Sequence, residues 1–171
     1  WARAAQVAAL TLLATAIVIA CSDKTDNNAS VDDAKTVLRR ANIAEPATLD
    51  PHRSEGVAAN NILRDLYEGL VTEAADGELV PGTAKRWTVS DDGRRYTFEL
   101  KETARWSNGD PVTAADFVAG FRRTVDPKTN STYASMLAPL KNAALIIAGD
   151  APVETLGIRA LNEKTVEIEL D

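Results

Sequence analysis

The chain has 171 residues and a formal net charge of −6, and 45% of its residues are hydrophobic while 26% are charged. This length is enough for one domain with a real hydrophobic core, and the composition is ordinary for a soluble globular protein. The acidic balance argues against nucleic acid or anionic lipid as the main partner. The single cysteine excludes both an internal disulfide framework and a structural zinc site built from cysteines.

The N-terminal stretch predicts a signal peptide. Residues 4–20 are apolar apart from three polar positions, but as a helix they would span only about 26 Å, which is short for a membrane crossing. A charged start, a short apolar stretch and small residues before Cys21 are typical of a secretory signal. We therefore expect residues 1–20 to be removed from the mature protein.

Cys21 predicts a lipid anchor. The run Val18-Ile19-Ala20-Cys21 resembles a bacterial lipobox, in which the cysteine is acylated and becomes the mature N-terminus. Acyl chains hold a protein at a membrane surface without spanning it. The alternative is a plain signal peptide followed by a chance cysteine. Residues 21–35 are largely polar and charged, which predicts a flexible tether.

The segment up to residue 93 predicts one strand, one helix and two hairpins. Residues 36–43 alternate imperfectly, as in a strand, and apolar residues at helical spacing predict a helix from about Val57 to Tyr67. Asp76-Gly77 and Asp92-Gly93 each separate two strand-like runs and predict hairpin turns. Between the hairpins, Gly82 to Arg86 predicts a single helical turn.

The stretch from Tyr96 to Tyr133 predicts a strand, a turn-rich loop and a helix. Alternating apolar residues over 96–100 indicate a half-buried strand. Trp106 begins the loop, and we expect it to pack against the aromatic strand face. Thr113 stands at the N-cap with Asp116 three residues later, which approximates a capping box. The helical face predicted to be core comprises Phe117, Val118, Phe121 and Val125, and Asp126-Pro127 should close the helix.

The C-terminal part completes an α/β class with a mixed or antiparallel sheet. Residues 133–137 predict a short helix, and residues 140–148 suit a helix or a strand. The runs 158–161 and 165–170 alternate and should pair with each other. Because no regular crossover helices separate the strands, a doubly wound fold is not expected.

The residues themselves predict no reaction centre. His52, the only histidine, has no second histidine or cysteine near it, and we interpret it as an ordinary loop residue. Sequence alone pairs no two carboxylates for acid–base work. The chain has no phosphate-binding loop, dinucleotide fingerprint or nucleophile elbow. We expect no enzyme activity, no cofactor and no metal.

Several separated motifs resemble the peptide-binding proteins of bacterial ABC transporters, in particular the oligopeptide-binding members. The resemblance covers roughly residues 36–171, and because the family's proteins are much longer, we expect an N-terminal piece of one. The motifs are L-D-P-H-R-S-E-G-V from Leu49, D-L-Y-E-G-L from Asp65, W-S-N-G-D-P-V-T-A-A-D-F-V-A-G-F-R-R from Trp106, V-D-P-K-T from Val125 and S-T-Y-A-S from Ser131.

The resemblance implies the N-terminal part of a two-lobed periplasmic-binding-protein-like fold. Residues 36–67 would begin the first, ligand-binding lobe, and residues 68–171 would form most of the second, smaller lobe. An extended oligopeptide would lie between the lobes and be delivered to a membrane ABC permease. The protein would be a monomer in the periplasm or on the outer face of the cell membrane, anchored by lipid and free of enzyme activity.

The resemblance also implies a few site residues. The loop Ser54-Glu55-Gly56-Val57 matches the loop whose backbone meets the peptide, and Glu55 could add a carboxylate for a cationic group. Tyr133 matches a tyrosine that faces the cleft from the second lobe. The family's aspartate for the peptide amino group would lie beyond Asp171.

Three alternatives stay open at this point. The ligand could instead be a dipeptide, a cell-wall peptide, a nickel chelate or haem. An envelope hydrolase would use carboxylates such as Glu55 and Asp116. A structural lipoprotein would need no cleft at all.

Overall fold

The computed structural model describes residues 39–171. The predicted signal peptide, Cys21, the tether and the start of the predicted first strand lie outside the described residues. The chain divides into two units, Trp1–Arg40 and Ala41–Asp171, and every helix and strand given below belongs to the second unit.

The second unit contains one helix, then four strands, then a run of helical segments, and finally two strands. Three single turns of 3-10 helix lie at Pro127–Thr129, Ala134–Leu137 and Val153–Thr155. Among the described residues, no helix combines the length and apolar character that a membrane crossing requires. The α-helices are α1 Gly56–Leu66, α2 Ala114–Val125 and α3 Ala143–Ala148, and the strands are β1 Val71–Glu73, β2 Leu79–Pro81, β3 Ala84–Val89, β4 Arg95–Leu100, β5 Ile158–Asn162 and β6 Thr165–Glu169.

All strand pairs are antiparallel, which confirms the predicted fold class. β1 and β2 form a two-stranded ribbon, and the other four strands form a sheet in the order β3-β4-β6-β5. Both predicted hairpin turns are present, with Gly77 at φ 87° and Gly93 at φ 70°. Glycine adopts these positive φ angles without the steric cost that a Cβ brings. The predicted pairing of β5 with β6 is also confirmed.

The hydrophobic core lies between one face of the four-stranded sheet and the helices α2 and α3. Leu100 of β4 and Val166 of β6 are fully buried there, together with Val125 of α2 and Ile146 of α3. Burying each such side chain contributes about 1.5–3 kcal/mol relative to exposure. The sheet and the two helices are therefore held as one packed body.

Helix α2 begins and ends where the sequence predicts. The Asp116 carboxylate accepts the backbone N–H of Thr113 at 2.8 Å and its hydroxyl at 3.0 Å, so a negative charge lies at the positive end of the helix. Asp126 is the C-cap residue, in an extended conformation before Pro127. Residues 143–148 are also helical, which decides between the two structures predicted for that segment.

Two sequence predictions are wrong because pairing overrides local pattern. Residues 39–43 form no strand, and residues 41–43 have no neighbouring strand within their unit to share a ladder of hydrogen bonds. Residues 84–86 begin β3 rather than a helical turn. The Ala84 N–H donates to the Leu70 carbonyl at 3.0 Å, and Trp87 pairs with Phe98 of β4.

The prediction that Trp106 packs on the strand face is also wrong. Its side chain is 45% exposed, and its Nε1–H points to the Asp116 carboxylate at 3.4 Å. Trp87 takes the expected place instead, with its ring centroid 6.4 Å from that of Phe98. The indole of Trp106 is thus left on the surface.

Gly157 and Gly120 provide a matched test of this packing. A Cβ at Gly157 would lie 2.6 Å from the Glu169 carbonyl oxygen and 2.6 Å from the Lys141 Cβ, whereas a Cβ at Gly120 would meet only the His52 Nε2 at 3.8 Å. We expect Gly157→Ala to lower the free energy of unfolding by about 1–3 kcal/mol, the usual cost of overpacking. Gly120→Ala should raise it by about 0.5–1 kcal/mol because it removes a helix-interior glycine. Urea denaturation checks both, and equal effects would contradict the packing described.

Candidate functional site

A groove with a volume of about 930 Å³ opens along α2. The groove is lined by the loop before α1, the end of α1 with the residues that follow it, Thr83 before β3, the loop after β4, helix α2, and residues 133–137. Its volume lies within the usual range for ligand pockets. The apolar and aromatic residues that line it are Leu66, Tyr67, Trp106, Val112, Phe117, Phe121, Tyr133, Met136 and Leu137.

Helix α2 supplies the floor of the groove. Phe117 and Phe121 are four residues apart, so they lie on the same helical face. Both are partly buried and pack against the core. Above them the rim is open, because Tyr67, Trp106 and Met136 expose 51%, 45% and 73% of their surface. Exposed apolar side chains around a groove are a common feature of interaction sites.

The polar groups of the groove are tied to one another. The Thr83 hydroxyl donates to the Glu68 side chain at 3.3 Å. The Asp116 carboxylate caps α2 and also accepts the Trp106 indole N–H. Asp116 thus connects the start of α2 to the Trp106 loop.

A charged cluster links the loop before α1 to the C-terminal half of α2. The Arg123 guanidinium binds both oxygens of the Asp50 carboxylate, with Nη1–Oδ1 and Nη2–Oδ2 distances of 2.7 and 2.6 Å. The His52 Nδ1 lies against the same guanidinium. This bidentate pairing fixes both distance and orientation.

The cluster shifts two pKa values. The hydrogen bonds from Arg123 hold the pKa of the Asp50 carboxyl well below its ordinary value of 3.8. Partial burial, followed by the positive charge of Arg123, lowers the pKa of His52 below its ordinary 6.5. At neutral pH the cluster therefore contains an ionised aspartate, an arginine cation and a neutral imidazole.

The structure separates the four predicted ligand-binding residues into two places. Tyr133 lines the groove as the residue that precedes the short helix 134–137, and it is 43% exposed. Glu55, Gly56 and Val57 do not line the groove. They are exposed at the start of α1, where Glu55 is the N-cap residue.

The carboxylates named for a hydrolase do not come together in the groove. Asp116 lines it but Glu55 does not. Across residues 39–171, no group of three or more His, Cys, Asp or Glu side chains is placed to hold a metal ion.

Sequence reasoning missed most of the groove. Phe117 and Phe121 were predicted as core, and they do pack on the core, but their outer edges also form the groove floor. Helical spacing cannot distinguish an aromatic residue that is covered on all sides from one that is covered on one side. The partnership of Asp50 with Arg123 spans 73 residues and leaves no local pattern in the sequence.

Comparison with known proteins places the chain in a family. Residues 78–171 match the family described as bacterial extracellular solute-binding proteins, family 5, middle region. The chain belongs to this family. As a family 5 solute-binding protein, it matches about a quarter of the length of its curated relatives.

The relatives of this solute-binding protein differ in the ligands for which they are named. The chain is 45% identical over 137 residues to the probable deoxycholate-binding periplasmic protein YgiS of Escherichia coli, covering 79% of this chain and 26% of that protein. It is 46% identical over 129 residues to the periplasmic murein peptide-binding protein MppA of the same organism, covering 74% and 24%. The crystal structure of Haemophilus influenzae OppA in complex with RPPGFSPFR matches with a TM-score of 0.72 at 45% identity, covering 74% of this chain and 25% of that one.

The His52 cluster predicts that acid destabilises the loop before α1. Because folding lowers the His52 pKa, the unfolded state binds a proton more readily, so stability is complete above about pH 6.5 and decreases as the pH falls toward the lower folded value. Urea midpoints at about pH 7.5 and 5.5 should therefore drop more for the wild type than for His52→Gln. An equal drop in the two proteins, or a His52 titration at or above its ordinary pKa, would contradict this prediction.

Proposed function

We propose that this chain is part of an extracytoplasmic protein that captures oligopeptides and delivers them to a membrane ABC permease, with no catalytic step. The observation that carries the proposal is the open apolar groove along α2, lined by Tyr133, on a chain that is 45% identical to an OppA solved with a nonapeptide. The absence of a catalytic step in this proposal is supported by the matched family, which is one of solute-binding proteins.

The mode of binding that we propose combines the groove with the family resemblance, because residues 54–57 do not line the groove. An extended peptide can offer its backbone N–H and C=O groups to backbone groups of the protein, as in strand addition. We assign backbone contacts to residues 54–57 and a side-chain contact to Tyr133. Exposed rim residues leave room for water, and water can satisfy many different peptide side chains. Binding would then depend on main chain and length more than on sequence.

The proposal includes a division of labour between two lobes. Residues 36–67 would begin the first lobe and residues 68–171 would supply most of the second, with the peptide between them. Closing the lobes over the ligand would remove water from the groove. The protein would act as a monomer.

We also propose that Cys21 carries a lipid that holds the mature protein at the outer face of a membrane. Two acyl chains or more suffice for stable anchoring. Metabolic labelling with palmitate should mark the wild-type protein but not Cys21→Ala, which should appear in the soluble fraction. Equal membrane association of the unlabelled variant would exclude the anchor.

Titration calorimetry on the full-length protein tests the ligand class. We expect heat of binding from the nonapeptide RPPGFSPFR and weaker or no binding of deoxycholate, because a steroid lacks the peptide backbone groups. A murein tripeptide is the second candidate, since the chain is 46% identical to MppA. Binding of deoxycholate alone would replace the peptide proposal.

Tyr133→Ala tests whether the groove is the binding surface. Truncating an aromatic residue that contacts a ligand commonly costs more than about 1 kcal/mol, so we expect the peptide dissociation constant to rise at least fivefold. The matched control is Leu79→Ala, because Leu79 is 64% exposed but lies on β2, outside the groove. If the two variants bind peptide equally well, Tyr133 is no ligand contact.

A further inference from the structure

The Asp50–Arg123 pair joins the helix that forms the groove floor to the loop before α1. Arg123 lies on α2, the floor of the groove, and Asp50 lies in the loop that leads to residues 54–57. The two side chains are 73 residues apart in sequence, and each Asp50 oxygen receives its own N–H from the guanidinium, at 2.7 and 2.6 Å. This is a geometry that lysine, with a single ammonium group, cannot reproduce.

The same aspartate builds the turn that follows it. Its Oδ1 accepts the His52 backbone N–H at 3.1 Å. Its carbonyl oxygen accepts the N–H groups of Arg53 and Ser54 at 3.0 and 2.9 Å. An aspartate whose side chain and main chain both accept hydrogen bonds from the next residues locks a tight turn. The position of the Asp50 carboxylate thus sets the direction in which the chain enters α1.

The residue at the end of this turn is enclosed. Ser54 is only 3% exposed, while Glu55 and Gly56 directly after it are exposed. The buried residues of α1, Ala59 and Leu63, lie outside the main hydrophobic core cluster. The turn before α1 is therefore one of the contacts that place the start of this helix, beside the burial of Ala59 and Leu63 and the hydrogen bond from Asn42 to the Ala58 carbonyl at 3.1 Å.

We infer that Arg123 is a positioning residue that holds the Ser54–Val57 loop at a fixed place relative to the groove floor. The inference rests on the proposed function, in which that loop offers backbone groups to the peptide. The guanidinium binds the Asp50 carboxylate, Asp50 accepts the hydrogen bonds that form the turn, and the turn positions residues 55–57. Arg123 touches no ligand in this arrangement.

An ordinary surface ion pair is the competing interpretation. Exposed pairs contribute little to global stability, and the Arg123 side chain is 46% exposed. The two interpretations predict different effects of removing the pair. Removal of an ordinary surface pair would change neither the order of the turn nor the affinity for ligand. Removal of a positioning residue would change both while leaving global stability nearly unchanged.

The experiment compares Arg123→Gln, Arg123→Lys and Asp50→Asn in the full-length protein with Arg86→Gln. Arg86 is a matched control because it also forms a short ion pair, 2.6 Å from Glu99, but on β3 and outside the groove. The readouts are amide hydrogen exchange at residues 53–54 without ligand, the thermal midpoint, and calorimetry with RPPGFSPFR.

We expect Arg123→Gln and Asp50→Asn to exchange the Arg53 and Ser54 amides roughly tenfold faster and to bind peptide roughly tenfold more weakly, the size of coupling common for contacting pairs. Arg123→Lys should show exchange rates and a peptide affinity between those of the wild type and Arg123→Gln. The thermal midpoints of all three variants should match that of Arg86→Gln. Exchange and affinity equal to those of the control would overturn the inference. A wild-type protein that binds no peptide, while the exchange effect persists, would instead overturn the proposed function.

Discussion

Helix α2 is the element on which the rest of this structure depends. Its buried side packs on the sheet through Ala114 and Val125, both almost fully enclosed. The Ala114 N–H is at the first turn of the helix and has no acceptor within it. It donates at 2.8 Å to the carbonyl of Glu163, a residue in the turn between β5 and β6. The first helical turn leaves N–H groups without partners inside the helix, and here the sheet supplies one. This hydrogen bond and the buried side chains fix the position of α2 on β5 and β6.

Two of the segments that line the groove are attached to this helix by side-chain hydrogen bonds. Asp116 at its start holds the Trp106 indole, Phe117 and Phe121 form the floor, and Arg123 near its end holds Asp50. The side chains that make the helix stable are therefore close to those that face a ligand. Under the proposed function, a fixed floor with an exposed rim would suit the binding of peptides of varied sequence, because water can satisfy different peptide side chains.

The relatives of the chain include proteins named for deoxycholate, murein peptide and oligopeptide. A floor of two phenylalanines does not discriminate among these, since apolar contact is non-directional. Under the proposed function, discrimination would come from groups that bind the peptide backbone, which is the role proposed for residues 54–57 and, through Asp50, for Arg123.

The sequence predicts those parts of the fold that short-range chemistry controls. The two hairpins follow from Asp-Gly turns, and the start of α2 follows from Thr113 and Asp116. The segment 84–86 was predicted wrongly because its strand exists only through pairing with β4, which a local pattern does not contain. Trp87 and Trp106 could not be told apart in advance, because each follows a plausible strand or loop and only tertiary packing decides which one is covered. The family resemblance supplied Tyr133, whereas the Asp50–Arg123 pair needed the three-dimensional structure.

Photo-crosslinking tests the central claim that a peptide lies along the groove on α2. A nonapeptide that carries a photoreactive side chain should label residues of the Tyr133–Leu137 segment and the Trp106 loop in the full-length protein. The labelling should disappear when unlabelled peptide is added in excess. Labelling that survives competition, or that falls only on the outer face of the four-stranded sheet, would contradict the account.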